Sequence, residues 1–120
     1  MELEFETIES ISAETFREQV EKDRHPVFDV RKPGEFESEH LPAGKSTPLD
    51  FLNDHLAEFP KEGKFYIHCA GGYRSVIAAS ILKSRGIHNM VDVAGGFGAI
   101  RKTGMETSNE VVCASTLKNT

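Results

Sequence analysis

Basic residues are in short supply: Lys plus Arg number 14 against 19 Asp plus Glu, for a formal net charge of −5 over 120 residues. Lys and Arg are also scattered, so the basic footprint that a nucleic-acid partner requires is missing and none is expected. No apolar run approaches the eighteen or so residues of a membrane span. The opening Met1-Glu2-Leu3-Glu4-Phe5-Glu6 is acidic where a secretory signal is basic and then apolar. No membrane association is expected. Cysteine occurs only as Cys69 and Cys113, which make no disulfide framework. A reducing compartment suits a free thiol, so a cytoplasmic protein is expected. His25, His40, His55, His68 and His88 are dispersed without ligand spacing and C-x-x-C is missing, so neither a metal nor another cofactor is expected. No internal repeat competes with a single domain around one core.

What is present alternates between strand and helix patterns. Phe5 to Ile11 reads as a short edge strand, and Ser12 as the N-cap of a helix over Ala13 to Lys22. Pro26 stops that helix; Val27-Phe28-Asp29-Val30 is a compact apolar run of the kind buried in parallel sheets. Pro33-Gly34 marks a turn before a short helix over Glu35 to His40. A very short strand is expected near Ser46, then a helix over Phe51 to Phe59 capped by Asp50. Lys64 to His68 is the central strand, and Val76 to Leu82 a largely buried helix closed by Gly86. A last strand lies within Ile87 to Val93, and Gly95 opens a short final helix. This alternation predicts an α/β fold with a mainly parallel sheet of five strands and helices on both faces. Residues 1–103 are read as the domain and 104–120 as a polar tail, loosely docked or disordered.

The stretch with most chemical content is Cys69-Ala70-Gly71-Gly72-Tyr73-Arg74-Ser75. It sits between a strand and a helix, which places Cys69 at the carboxyl end of a strand and in front of a helix N-terminus, where open α/β sheets bind ligands. Three features favour a thiolate there: the partial positive charge of the helix end, loop glycines that let N–H groups turn inward as a nest, and the charge of Arg74. A cysteine that merely fills space has no use for an anion nest, so Cys69 is read as a nucleophile. Asp29, at the end of its strand, is read as structural support, paired with Arg31 or accepting loop N–H bonds, ahead of a catalytic carboxylate. Tyr73 and Phe97 are expected at the pocket mouth, and Cys113 as a free or docked apolar cysteine ahead of a resolving thiol.

Four stretches, in order, resemble the rhodanese family. Asp29-Val30-Arg31 with Glu35-Phe36 is similar to its first signature, and His40-Leu41-Pro42-Ala43-Gly44 to the second with alanine and glycine exchanged. Cys69 to Ser75 matches the loop Cys-x-x-Gly-x-Arg-Ser, and Gly95-Gly96-Phe97 the closing turn, with Ile100 where tryptophan is frequent. The resemblance implies a rhodanese-like fold and a sulfurtransferase that moves a sulfane sulfur through a persulfide on Cys69. The donor would be a small anion such as thiosulfate, or a persulfide; the acceptor would be a thiol or cyanide, with a partner protein in a sulfur relay as a further option. It further implies that the N–H groups of Ala70, Gly71, Gly72, Tyr73, Arg74 and Ser75 hold the persulfide anion, while Arg74 attracts the donor or the departing sulfite.

Two other readings compete. A persulfide carrier or a rhodanese-like interaction module needs no turnover, although such modules typically lose the cysteine. A cysteine-dependent phosphatase or arsenate reductase uses Cys-x5-Arg, whereas Ala70, Gly71, Gly72 and Tyr73 alone separate Cys69 from Arg74 here. The shorter loop makes a smaller cradle, suited to one sulfur atom. His68 is read as a strand residue facing a helix.

Overall fold

A computed structural model of the chain describes residues 8–22 and 25–108. Its five strands are β1 (Glu9–Ile11), β2 (Val27–Asp29), β3 (Gly44–Ser46), β4 (Phe65–His68) and β5 (Met90–Val93). They form one sheet in the order β1-β5-β4-β2-β3, every pair parallel. β4 is central and β1 an edge, as the sequence predicts. Phe5 to Thr7, the first part of the expected edge strand, lie outside the described residues.

Strand parity sorts the core into two layers. Phe28, Val30, Phe65, Ile67, Cys69 and Met90 pack with Ala78, Ala79 and Leu82 of α3 (Arg74–Ser84) and with Leu52 of a 3₁₀ helix (Leu49–Glu58). Val27, Tyr66, Val91 and Val93 pack on the other side with Phe16 of α1 (Ala13–Lys22) and with Phe97 and Ile100 of α4 (Gly96–Lys102). With both faces covered, β2, β4 and β5 are buried throughout, which is why they read as apolar runs rather than alternating ones. Truncating Phe65, fully buried against Phe28 and Phe59, would cost about 3–5 kcal/mol.

Helix α1 starts where its cap predicts: Ser12 Oγ accepts the Thr15 N–H at 3.1 Å. Two expectations need correction. Pro33 opens α2 (Pro33–Ser38) instead of standing in a turn before it. Its fixed φ and missing N–H suit the first helical position, and Glu35 accepts the Lys32 N–H at 3.0 Å. The segment expected as an α-helix capped by Asp50 is the 3₁₀ helix, entered at Pro48, with Asp50 inside its first turn. Phe51 has φ −120° and breaks it into two short pieces, in keeping with the poor persistence of 3₁₀ geometry. The exchanged Ala43-Gly44 leaves β3 in place: Gly44 pairs with Val27, and its N–H closes a turn on the Leu41 carbonyl at 2.9 Å.

The chain after α4 turns back over the domain. Met105 packs on the α1 side of the core, and Ser108 exchanges backbone hydrogen bonds of 2.7 and 2.8 Å with His40. Cys113 and the rest of the expected tail lie outside the described residues. Among the described residues no helix is long and apolar enough to cross a membrane.

Candidate active site

Cys69 follows the last residue of β4, and α3 begins five residues later at Arg74. The thiol is buried, 1% exposed. Gly72 donates its N–H to Sγ at 3.1 Å, and Sγ lies 3.7 Å from Ser75 Oγ in the first turn of α3. The turn depends on Gly72, whose φ of 98° disfavours an L side chain and whose Cβ would press on Gly95 N at 3.1 Å. Gly71 has no such constraint: its φ is not positive and nothing lies within 4 Å of a Cβ placed there. Of the two loop glycines, Gly72 alone is required by backbone conformation.

The loop is held from behind by the start of α4. Phe97 N–H donates to the Cys69 carbonyl at 2.6 Å and Gly98 N–H to the Ala70 carbonyl at 3.1 Å. Gly96, at φ 59°, lies so close that a Cβ would meet the Ala70 carbonyl at 2.7 Å and the Cys69 carbonyl oxygen more closely still. The closing Gly-Gly-aromatic turn is therefore the back support of the cysteine loop. The free N–H groups of one helix end dock on carbonyls of a loop whose own N–H groups thereby face the other way.

Arg74, expected to bring positive charge to the loop, is ion-paired. Its guanidinium donates two hydrogen bonds to Glu35 of α2, at 2.8 and 3.1 Å. That pairing, opposed by partial burial and reinforced by the Lys32 N–H, holds the Glu35 carboxyl down at about 2. The same hydrogen bond raises the Arg74 pKa, with smaller contributions from the nearby charges of Cys69 and Asp29. Glu35 is a residue whose role sequence reasoning missed, although it was quoted in a motif.

Asp29 and Arg31 form a buried ion pair beneath the loop, on the α4 side of the sheet. The Asp29 carboxylate accepts the Arg31 N–H at 3.0 Å and the guanidinium at 2.8 to 3.1 Å. Arg31 also donates to the Glu39 carbonyl at 2.7 Å and lies 4.2 Å above the Phe97 ring. Phe97 is thus buried, 5% exposed, against Arg31 and the His68 ring rather than standing at the pocket mouth. Tyr73, by contrast, is at the surface, 76% exposed. His68 faces a helix as expected, here α4; its Nδ1 lies 3.3 Å from the Cys69 carbonyl, and Nε2, without a hydrogen-bond partner among the described residues, is 3.9 Å from Asp29. Burial pushes its pKa down, against the pull of Asp29.

A second residue missed by the sequence reading is Asp92. It lies in the middle of β5 on the α3 side, and its carboxylate accepts hydrogen bonds from Ser75 and, at 3.0 Å, from Ser10. The signal was available: an acidic residue inside the otherwise apolar Met90-Val91-Asp92-Val93. In this arrangement a sulfur anion on Cys69 would meet the Gly72 N–H and the start of α3, with the Arg74–Glu35 pair alongside.

Comparison with known proteins agrees with this geometry. The profile of the family described as Rhodanese-like domain matches residues 12–103. The chain is 32% identical over 91 residues to the "Putative sulfur carrier protein YrkF" of Bacillus subtilis (strain 168), covering 75% of this chain and 49% of the relative, so it spans about half the length of that protein. It is 30% identical over 95 residues to Thiosulfate sulfurtransferase 16, chloroplastic, of Arabidopsis thaliana, covering 69% of this chain and 79% of the relative. Among solved structures, a rhodanese-like domain protein from Staphylococcus aureus superposes with a TM-score of 0.73 at 32% identity, covering 78% of this chain and 91% of that one. The match over nearly all the described residues, together with a cysteine loop anchored on the Gly-Gly-aromatic turn, shows that the chain belongs to the rhodanese-like domain family.

Proposed function

We propose that the protein is a sulfurtransferase that carries a sulfane sulfur as a persulfide on Cys69. The observation that carries this reading is the Gly72 N–H aimed at a buried Sγ at 3.1 Å, at the head of α3. The thiolate attacks the outer sulfur of thiosulfate or of a persulfide; a new S–S bond forms, the donor's S–S bond breaks, and sulfite or a thiolate leaves with the electron pair. A thiol or cyanide acceptor then attacks the outer sulfur of the Cys69 persulfide and restores the thiolate. The N–H groups of residues 70–75 hold the terminal sulfur anion. Arg74, oriented by Glu35, supplies positive charge toward the anionic donor, and Asp29 with Arg31 supports the loop from beneath. No acid as strong as an alcohol leaving group would need is required, because sulfite is a good leaving group.

The test is intact mass after incubation with thiosulfate. A gain of one sulfur atom, removed by cyanide and absent from Cys69→Ser, is expected. No adduct with thiosulfate or with a low-molecular-weight persulfide refutes the proposal. A second reading, a carrier that passes sulfur to a protein partner, is favoured by the burial of Cys69 at 1% exposed and by the printed name of the Bacillus subtilis relative. It is distinguished by a persulfide that forms readily but turns over slowly with cyanide and small thiols.

A further inference from the structure

A buried line of hydrogen bonds leads away from the sulfur. Sγ of Cys69 donates to Ser75 Oγ at 3.7 Å, Ser75 Oγ donates to Oδ1 of Asp92, and Oδ2 of Asp92 accepts from Ser10 Oγ at 3.0 Å. Ser75 is fully buried and Asp92 is 2% exposed. Three elements build the line: α3 supplies Ser75, β5 supplies Asp92, and β1 supplies Ser10, the register partner of Asp92. A carboxylate this deep costs several kcal/mol unless its oxygens are satisfied. Among the described residues it has hydroxyl partners and no ion pair. Packing alone would be served by an apolar side chain, as it is at Met90 on the same face of the same strand.

The chemistry follows from the hydroxyl inventory. A serine has one proton to donate. While that proton is given to Asp92, Ser75 turns only lone pairs toward the sulfur, an arrangement that suits S–H and opposes a bare thiolate. If the Sγ proton passes to Ser75 as the Ser75 proton passes to Oδ1, both hydrogen bonds reverse. The S–H bond breaks with its electron pair left on sulfur, an O–H bond forms on Asp92, and Ser75 ends with one proton as before. Ser75 then donates to the thiolate and the neutral Asp92 acid donates to Ser75.

We propose that Asp92 is a positioning residue of this site, which takes the Cys69 proton through Ser75 when the thiolate forms and returns it when the thiol is restored. Its use in turnover rests on the sulfur-transfer reading, but thiolate formation itself does not. The charged and titratable groups around the pair are His68 on β4 and Arg74 on α3, itself paired with Glu35 of α2, with Asp29 of β2 and Arg31 just after that strand beyond His68. Glu9 flanks Ser10 on the exposed edge.

The test is a donor-free titration of the full chain carrying Cys113→Ser, so that Cys69 is its one thiol, followed by the ultraviolet absorbance of the thiolate. A proton kept inside the pair makes the thiolate fraction independent of pH between the two macroscopic steps of the pair. A two-step curve with a partial plateau is therefore expected as pH rises, with an infrared carboxylic-acid stretch that persists across the plateau and disappears with the second step. Asp92→Asn, nearly isosteric, is expected to abolish the plateau and the infrared band. Ser75→Ala, which breaks the line but keeps the carboxylate, is expected to abolish the plateau as well. A one-step curve in the parent, or a plateau that survives both substitutions, overturns the proposal. If Asp92→Asn fails to fold, Ser75→Ala decides alone. Failure of thiosulfate loading leaves this titration readable, so the two readings fail separately.

Discussion

Gly96→Ala is the substitution for which the structure makes the sharpest demand. Gly96 has φ 59°, and an added Cβ would lie 2.7 Å from the carbonyl of Ala70 and against that of Cys69. The left-handed conformation costs an L residue about 1–2 kcal/mol. The clash is with backbone on both sides, so it is relieved only by moving the start of α4 off the loop. That movement breaks the hydrogen bonds from Phe97 to Cys69 and from Gly98 to Ala70, each worth about 0.5–1.5 kcal/mol. Together the loss is roughly 2–5 kcal/mol, or on the order of 10–20 °C in melting temperature for a domain of this size. Urea denaturation measures it, and sulfur loading from thiosulfate measures what it does to the site. Gly71→Ala is the control. Its φ is not positive and its surroundings are open, so it should be neutral or stabilising by about 0.4–1 kcal/mol through the unfolded chain. Equal midpoints for Gly96→Ala and the parent would refute the account of the loop as held from behind.

Glu35→Gln tests the anchor of Arg74. The Glu35 carboxyl titrates at about 2 when folded against 4.5 ordinarily, so its stabilisation is fully present above pH 4.5 and is lost as pH falls toward 2. Both partners are partly exposed, at 39% and 29%, so solvent screening limits the loss near neutral pH to about 0.5–1 kcal/mol. Acid-induced unfolding should be less steep across that window in the variant, and an unchanged acid limb refutes the pairing. His68 has the opposite charge type: its folded pKa lies below the ordinary 6.5, so the unfolded chain binds the proton first. Stability should fall as pH drops below about 6.5, and His68→Phe, with a ring that does not titrate, should flatten urea midpoints measured between pH 8 and pH 5. Tyr73→Ala, at a side chain 76% exposed, should leave stability within about 0.5 kcal/mol while changing the Michaelis constant of the donor or acceptor. Unchanged constants for both would remove Tyr73 from the entrance.

The order of strands and helices, the parallel α/β class and the placement of Cys69 between β4 and α3 were legible in the sequence. These features are local: apolar runs buried on two faces, Ser12 as a cap, and glycines where the backbone must turn. The short elements were read less well. Pro33 and Pro48 each suit a turn or a helix start by local chemistry, and only contacts across the fold choose between them. The full strand order, with β1 beside β5 and β3 beside β2, also came from tertiary structure. So did the partners that define the site: Glu35 reaches Arg74 from 39 residues away, and Asp92 meets Ser75 across 17. A side chain's residue type states what it can donate or accept, but whether it does so depends on which residues a parallel sheet lays beside it. Hence the position of Cys69 between a strand and a helix was readable from sequence alone, while the pairing of Arg74, the burial of Phe97 and the carboxylate behind Ser75 were settled by the packing of α2, α3, α4 and β5 around one loop.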